Sequence, residues 1–281
     1  MSITKEKIHE ILLKATEIRG HILEMTCVAK SGHPGGSMSM SDILATLYFY
    51  WLKTNPKDPL WEERDYFVLA KGHAAPALYA TLAMKGYFPV DELKTLRQLG
   101  SKLQGHPDKH SLSGVEMSTG SLGQGLSVMV GMALALKYDK KTNRVFGVLG
   151  DGECQEGQVW EAAMAAAHFR LGNICIFIDK NGLQIDGATK DVMNIDPLAD
   201  KFASFGWDVF TIDGHNVHEI VSTLEKADRV TDKPVVIIAN TVKGKGITFM
   251  ENQVCYHGAP ITEEQLIKAK CELDIVKGMH L

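Results

Sequence analysis

Five short apolar runs, separated by longer stretches with helical spacing, most constrain what this chain can fold into. The runs cover residues 66–70, 145–149, 174–178, 209–212 and 235–239. They are rich in β-formers and largely unalternated, which is typical of strands buried on both faces. The sequence therefore predicts an α/β fold, in which residues 1–281 form a single doubly wound domain with a mostly parallel sheet flanked by helices.

Apolar residues recur at helical spacing between the predicted strands. This spacing predicts helices over most of the first thirty residues and over residues 39–52, 74–85, 91–99, 122–138, 159–169 and 217–229. Ser39, Ser41 and Asp42 are candidate caps for the second helix. Two pairs have the pattern of a helix-start capping box, Asn216 with Glu219 and Thr262 with Gln265.

Composition and charge exclude several classes of function. The net charge of −4 provides no basic field, so we expect no binding of nucleic acid or of an anionic membrane. The purest apolar stretch, residues 128–136, is far shorter than the roughly 20 residues that span a bilayer. The five cysteines form no C-x-x-C pair and have no zinc-ligand spacing. We therefore expect a cytoplasmic protein with reduced cysteines.

Two successive predicted strands run directly into polar, glycine-containing loops. Asp151 follows the strand at 145–149, and Asn181 follows the strand at 174–178. Ligands of parallel sheets bind beyond the carboxyl ends of the strands, where both side chains would lie. Each residue alone suits a turn, but together their oxygens suit Mg²⁺ or Ca²⁺. Gly152 and the start of the following helix would let a phosphate approach the backbone.

The motif Gly150-Asp151-Gly152, followed after 28 residues by Asn181, resembles the thiamine diphosphate fingerprint. The surrounding motifs narrow the resemblance to the transketolase family, whose ordered loops they match over about residues 5–270. These motifs are residues 31–36 (SGHPGG), 71–74 (KGHA), 105–107 (GHP), 119–125 (TGSLGQG), 150–157 (GDGECQEG), 181–187 (NGLQIDG), 243–246 (KGKG) and 257–258 (HG).

The resemblance implies a set of residues that hold the cofactor. Asp151, Asn181 and the carbonyl of Leu183 would bind Mg²⁺ (or Ca²⁺), and that metal would bridge the diphosphate of thiamine diphosphate. Contacts to the diphosphate would come from His73, Gly152, Lys243 and His257. The thiamine ring would lie against Gly120, Ser121, Leu122 and Ile185. Ser121, Leu183 and Lys71 depart from residues common in the family, but none removes a side chain that the chemistry needs.

Catalysis is assigned, by the same resemblance, to His33, His106 and His257, which would face the sugar and the thiazolium carbon. In ketol transfer the cofactor supplies the electron sink, and the protein moves protons near neutral pH, which suits imidazole. A zinc cluster is a poorer interpretation, since acidic or thiolate ligands are missing. The histidines outside these motifs, His215 among them, are interpreted as ordinary core or surface residues.

Full-length members of the family continue with a pyrimidine-binding domain and a C-terminal domain, and this sequence ends at Leu281. The resemblance therefore implies the N-terminal subunit of a split transketolase, with a C-terminal partner subunit (α2β2) and sugar or sugar phosphate substrates. Glu156 and Glu161 match an acidic position at the subunit interface, although a solvated first-turn glutamate explains them equally. The apolar residues of the helix at 122–136 suit either an interface or a core.

Three alternatives are weighed against this interpretation. The E1α subunit of a 2-oxoacid dehydrogenase has a similar fingerprint but lacks the motifs at 31–36 and 105–107. A non-catalytic or regulatory subunit of the same fold would not need to retain all the motif histidines with Asp151 and Asn181. A nicotinamide-binding domain needs G-x-G-x-x-G, which residues 150–155 do not complete.

Overall fold

Five parallel strands form the central sheet of the protein, in a computed structural model that describes residues 3–279. The strands are β1 (Tyr66–Leu69), β2 (Val145–Gly150), β3 (Ile174–Lys180), β6 (Asp208–Asp213) and β7 (Val235–Asn240). Their order in the sheet is β1-β2-β3-β7-β6, and every neighbouring pair is parallel. The predicted α/β fold and its five strands are confirmed, with small shifts at the strand ends.

A small antiparallel hairpin accompanies the sheet, formed by β4 (Leu183–Gln184) and β5 (Gly187–Ala188). Helices connect the strands and flank them. They are α1 (Lys5–Ala29), α2 (Pro34–Met38), α3 (Ser41–Thr46), α4 (Ala75–Lys85), α5 (Gln124–Tyr138), α6 (Gly157–His168), α7 (Thr189–Val192), α8 (Leu198–Ser204), α9 (Val217–Ala227) and α10 (Glu263–Met279). Over residues 3–279, no helix combines the length and apolarity required to cross a lipid bilayer.

One of the two predicted capping boxes forms in full, at Thr262 and Gln265, and the other, at Asn216, forms only its N-cap half. The Thr262 hydroxyl accepts from the Gln265 N–H, and the Gln265 side chain accepts from the Thr262 N–H. Asn216 caps the N–H of Glu219 at 3.2 Å, while the Glu219 carboxylate accepts from the N–H of Asp213 rather than from that of Asn216. Each cap satisfies N–H groups that have no partner within the helix.

Two predicted helices are wrong in extent. The segment 39–52 divides into α3 and a π-helical turn, Leu47–Trp51, and α3 begins after Met40 without a side-chain cap. The Ser39 hydroxyl instead donates to the Asp179 carboxylate at 2.6 Å, a tertiary contact that competes with capping. The segment 91–99 forms only a 3₁₀ turn, Val90–Thr95.

Two hydrophobic cores lie on opposite faces of the sheet, which explains why the strands are apolar without alternation. Phe146 and Val148 point into the core that includes residues of α1, α3, α4 and α9. Val145 and Leu149 of the same strand point into the core that includes residues of α5, α6 and α8. The helix predicted at 122–136 thus contributes Leu126 to a core rather than presenting a wholly apolar outer surface.

Candidate active site

The loops at the carboxyl ends of β1, β2, β3 and β7 enclose a cavity of about 310 Å³. Parallel strands bring these loops to one edge of the sheet, where α/β proteins bind ligands. Most of the residues predicted for the site lie here together. The cavity is lined by His33, Gly36, Lys71, His73, Gly120, Leu122, Gly150, Asp151, Gly152, Glu153, Gln155, Glu156, Asn181, Leu183, Gln184, Ile185, Asp186, Lys243 and His257.

Three imidazoles meet in the cavity although they come from three distant loops. The ring centroid of His33 lies 5.2 Å from that of His73 and 5.6 Å from that of His257. The rings of His73 and His257 stack at 5.1 Å. Burial is the main cause that lowers their pKa values, to about 4 for His33, about 2 for His73 and about 3 for His257. All three are therefore neutral near neutral pH.

His106 is not among the residues that line the cavity, but it lies beside it. Its ring packs over Gly120, where a Cβ atom would approach His106 Cδ2 to 3.1 Å. Gly120 has a φ of +153°, so both its conformation and its surroundings favour glycine. The loop before His106 is held near the His33 loop by Arg97, whose guanidinium donates to Ser31 Oγ and to the Gly105 carbonyl.

Three oxygen-bearing groups predicted to bind a metal lie at the same edge. Asp151 accepts from the N–H groups of Gly152 (2.9 Å) and Gly182 (2.7 Å). Asn181 Oδ1 accepts from the Leu183 N–H at 3.1 Å. The Leu183 carbonyl accepts from the ammonium of Lys243 at 2.9 Å, so a cation is already drawn to this oxygen. A carboxylate, an amide oxygen and a carbonyl fit Mg²⁺ or Ca²⁺.

A buried ion pair beneath the cavity was not predicted. Asp179, which is fully buried, accepts from the ammonium of Lys71, itself 1% exposed. The same carboxylate accepts from Ser39, Thr241 and the Asn181 side-chain amide. Burial raises the pKa of Asp179, but Lys71 and the other donors outweigh it and hold the pKa below its ordinary value. The sequence signal that could have revealed this ion pair is a charged residue, Asp179, at the end of an apolar strand.

Glu153 is a second residue that the sequence interpretation missed. Its carboxylate is 2% exposed and accepts from the N–H groups of Gly123 and Gly150, each at 3.0 Å. Burial raises its pKa to about 7. Glu153 thereby joins the loop predicted to hold the thiamine ring to the loop that carries Asp151. A motif match alone does not reveal this, because Gly123 is distant in sequence.

The remaining predicted residues lie at the rim. Leu122 is 36% exposed and Ile185 is 68% exposed at the cavity mouth. Ser121 is exposed and is not among the lining residues. Glu156 is exposed at the rim, and Glu161 is exposed on α6. The interface role of both glutamates stays a prediction.

Comparison with known proteins agrees with this geometry. Residues 13–277 match the family "Transketolase, thiamine diphosphate binding domain". The chain is 48% identical to the 6-deoxy-6-sulfo-D-fructose transketolase subunit SqwG of Clostridium sp. (strain MSTE9), over 93% of this chain and 95% of that relative. It is 43% identical to an apulose-4-phosphate transketolase subunit of Actinobacillus succinogenes, over 88% of this chain and 90% of that relative.

Solved structures give the same result. Transketolase from Campylobacter jejuni superposes with a TM-score of 0.89 at 36% identity, covering 98% of this chain and 43% of that chain. This chain thus spans less than half of that transketolase. Transketolase from Pichia stipitis, in complex with sedoheptulose 7-phosphate, superposes with a TM-score of 0.86 at 32% identity and covers 96% of this chain and 44% of that chain.

The chain therefore belongs to the transketolase family, whose thiamine diphosphate binding domain it carries. Within that family it is an N-terminal transketolase subunit, like the relatives that it matches over nearly their whole length. Because these relatives and solved structures are transketolases, the E1α alternative is not favoured.

Proposed function

We propose that this chain forms an α2β2 transketolase together with a C-terminal partner that carries the pyrimidine-binding domain. The pair would transfer a two-carbon ketol unit from a ketose donor to an aldose acceptor. The observation that carries the proposal is the meeting of His33, His73 and His257 beside Asp151 and Asn181 in one cavity. A cluster of neutral imidazoles, beside oxygen atoms that can bind a metal ion, is suited to binding a cofactor diphosphate and a sugar.

The cofactor would be held chiefly through its diphosphate. Asp151, Asn181 and the Leu183 carbonyl would bind Mg²⁺ (or Ca²⁺), and the ammonium of Lys243 would turn from that carbonyl toward the added negative charge. His73, His257 and the Gly152 N–H would donate to phosphate oxygens. When bound, thiamine diphosphate would supply the electron sink that ketol transfer needs. The rings of the cofactor would lie against Gly120, Ser121, Leu122 and Ile185.

Proton movement at the substrate would fall to His33, His106 and His257. A neutral imidazole donates from one ring nitrogen and accepts at the other, so it can serve a sugar hydroxyl in either direction. For His257 the roles are fixed, because Lys243 donates to Nδ1 and the ring hydrogen must then be on Nε2. The one N–H of His257 is therefore on Nε2, so this ring would donate to a diphosphate oxygen or to the substrate oxygen but not to both at once.

Contact with the partner subunit would cover the mouth of the cavity. The exposed apolar side chains of Leu122 and Ile185 at the mouth support this, as does Met193, which is 63% exposed nearby. Glu156 and Glu161 would lie at the same interface. Relatives of similar length are themselves named as transketolase subunits, which supports a separate partner chain.

We propose the cytoplasm as the compartment. All five cysteines of the chain are free thiols. Free thiols persist where the surroundings are reducing, whereas disulfides are typical of oxidising compartments. The state of the cysteines therefore supports a cytoplasmic protein.

The substrates would carry an anionic group at the end remote from the reacting carbons. Relatives are named for 6-deoxy-6-sulfo-D-fructose and for apulose-4-phosphate, sugars with a sulfonate and a phosphate respectively. The residues that hold such a group would come largely from the partner. The two subunits together, rather than this chain alone, would therefore determine which donor and acceptor sugars are used.

Reconstitution tests the proposal. The chain should be purified alone and with a partner that carries a pyrimidine-binding domain, and ketol transfer should be assayed with thiamine diphosphate and Mg²⁺. Activity is expected only for the pair, and it should be abolished by Asp151→Ala but not by Asp191→Ala, an exposed acidic control. Full activity of the chain alone, or of the Asp151→Ala pair, would contradict the proposal.

A further inference from the structure

His215 lies outside the candidate site, but a series of hydrogen bonds connects it to that site. The residue is in the loop between β6 and α9, and its side chain is 14% exposed. Its Nδ1 lies 2.7 Å from Oδ2 of Asp42, and its Nε2 lies 2.9 Å from the backbone nitrogen of Val242. The imidazole thus joins three segments that are far apart in sequence.

These two contacts fix the tautomer of His215. A backbone N–H can only donate, so Nε2 must be the bare nitrogen that accepts from Val242. The ring hydrogen is then on Nδ1, which donates to the Asp42 carboxylate. That carboxylate is held charged by Arg19, whose guanidinium donates to both of its oxygens at 3.2 and 2.5 Å. Although burial raises the pKa of Asp42, Arg19 and His215 together lower it to about 2.

This series of hydrogen bonds ends at the backbone immediately before Lys243. The ammonium of Lys243 contacts the Leu183 carbonyl at 2.9 Å and His257 Nδ1 at 2.8 Å, inside the cavity. On the other side of Lys243, the Gly244 N–H donates to the Gly35 carbonyl at 3.0 Å. The segment that aims Lys243 is therefore held at both ends, once by backbone and once by the imidazole of His215.

We propose that His215 is a positioning residue for the transketolase site, acting through the Val242 N–H to aim Lys243 at the cofactor diphosphate and at His257. Arg19 and Asp42 keep the imidazole in the tautomer that accepts from Val242. The proposal rests on the proposed function, because Lys243 matters to catalysis only if it contacts the diphosphate. The aim of Lys243 toward His257 can be measured independently of that role.

Two substitutions separate the contacts of the imidazole. Glutamine at 215 extends its amide to the position of Nε2 and can accept from Val242. Asparagine is shorter, reaches only the position of Nδ1, and can donate to Asp42 but not accept from Val242. We expect amide hydrogen exchange at Val242 to rise at least about 10-fold in His215→Asn and to change by less than about threefold in His215→Gln.

The variants His215→Asn and His215→Gln are also compared by two measurements made in the candidate site. The imidazole NMR signals of His257 should shift in His215→Asn and be restored in His215→Gln. The dissociation constant for inorganic pyrophosphate with Mg²⁺, measured by calorimetry on the full chain, should rise about 10-fold in His215→Asn only. Failure of the wild-type chain to bind pyrophosphate would count against the diphosphate role of Lys243, not against positioning of His257.

Two results would overturn the positioning role. One is equal exchange at Val242 in both variants together with an unchanged His257 signal. The other needs no variant: a ¹⁵N NMR pattern that places the ring hydrogen of wild-type His215 on Nε2. That second measurement decides the matter even if His215→Asn does not fold.

Discussion

The ammonium nitrogen of Lys243 lies 2.8 Å from Nδ1 of His257, and both groups are packed against the same cavity. Burial, followed by the positive charge of Lys71, lowers the pKa of Lys243 to about 8. Lysine remains the donor in this pair, so the imidazole must accept. This contact therefore sets the tautomer of a histidine assigned to the substrate, and the charge of Lys243 adds to the burial that keeps the ring neutral.

Replacing Lys243 by Met should raise the pKa of His257 from about 3, since Lys243 is the largest charge that opposes its protonation. Burial, the main cause of the shift, persists and keeps the pKa below its ordinary value. An NMR titration of the His257 imidazole measures the change. Lys245→Met is the matched control, because Lys245 contacts Glu251 rather than His257. Identical His257 titrations in wild type and Lys243→Met would refute the prediction.

Replacing Lys71 by Met should lower the free energy of unfolding by about 3–5 kcal/mol, because it leaves the buried Asp179 carboxylate without its cation. Urea unfolding measures the loss. The control is Lys180→Met, which breaks the partly exposed pair with Asp196 and should cost less than about 1 kcal/mol. Equal losses in the two variants would mean that Lys71 does not stabilise the interior.

Stability should fall as the pH drops below about 6.5, because buried histidines are neutral in the folded state. The pKa of folded His73 is about 2, lowered by burial and then by Lys71, whereas the unfolded chain titrates near 6.5. The unfolded state therefore binds more protons in this window, and unfolding becomes easier by up to about 1.4 kcal/mol per pH unit for this group.

His73→Gln should flatten that decline, and His168→Gln, at an exposed position, should leave it unchanged. The measurement is the free energy of unfolding in urea at a series of pH values from neutral to acid. A wild-type curve that rises toward acid pH would reverse the sign of the prediction. So would a His73→Gln curve steeper than that of the wild type.

Gly120→Ala should displace the His106 ring and destabilise the chain, because its Cβ would lie 3.1 Å from that ring at a φ unsuited to alanine. Gly131→Ala, in α5 with nothing within 4 Å of the added Cβ, should instead stabilise by up to about 1 kcal/mol. Thermal unfolding and the His106 NMR signals separate the two variants. A His106 signal that stays in place in Gly120→Ala would show that the contact is not tight.

The architecture was predictable from local hydrophobic patterns, and most of the cavity residues were predictable from the resemblance to a known family. Apolar runs of strand length mark β1, β2, β3, β6 and β7, since both faces of each central strand are buried by helices. The strand ends predicted that Asp151 and Asn181 lie at one edge of the sheet, whereas the resemblance to the transketolase family implied the other residues of the site. The resemblance implied that His106 faces the sugar. In the structure its ring packs on Gly120, beside the cavity, and does not line it.

The amino-acid sequence by itself determined the kind of sheet, the places where strands end in polar loops, and the family of the chain. These follow from hydrophobic period and from residue identity. Only the tertiary structure decided that β7 lies beside β3, which brings Lys243 to Leu183 and Thr241 to Asp179. It likewise placed His215 against Val242. Such contacts depend on the order of the strands in the sheet and on which polar groups are buried away from water. No local stretch of residues specifies either of these.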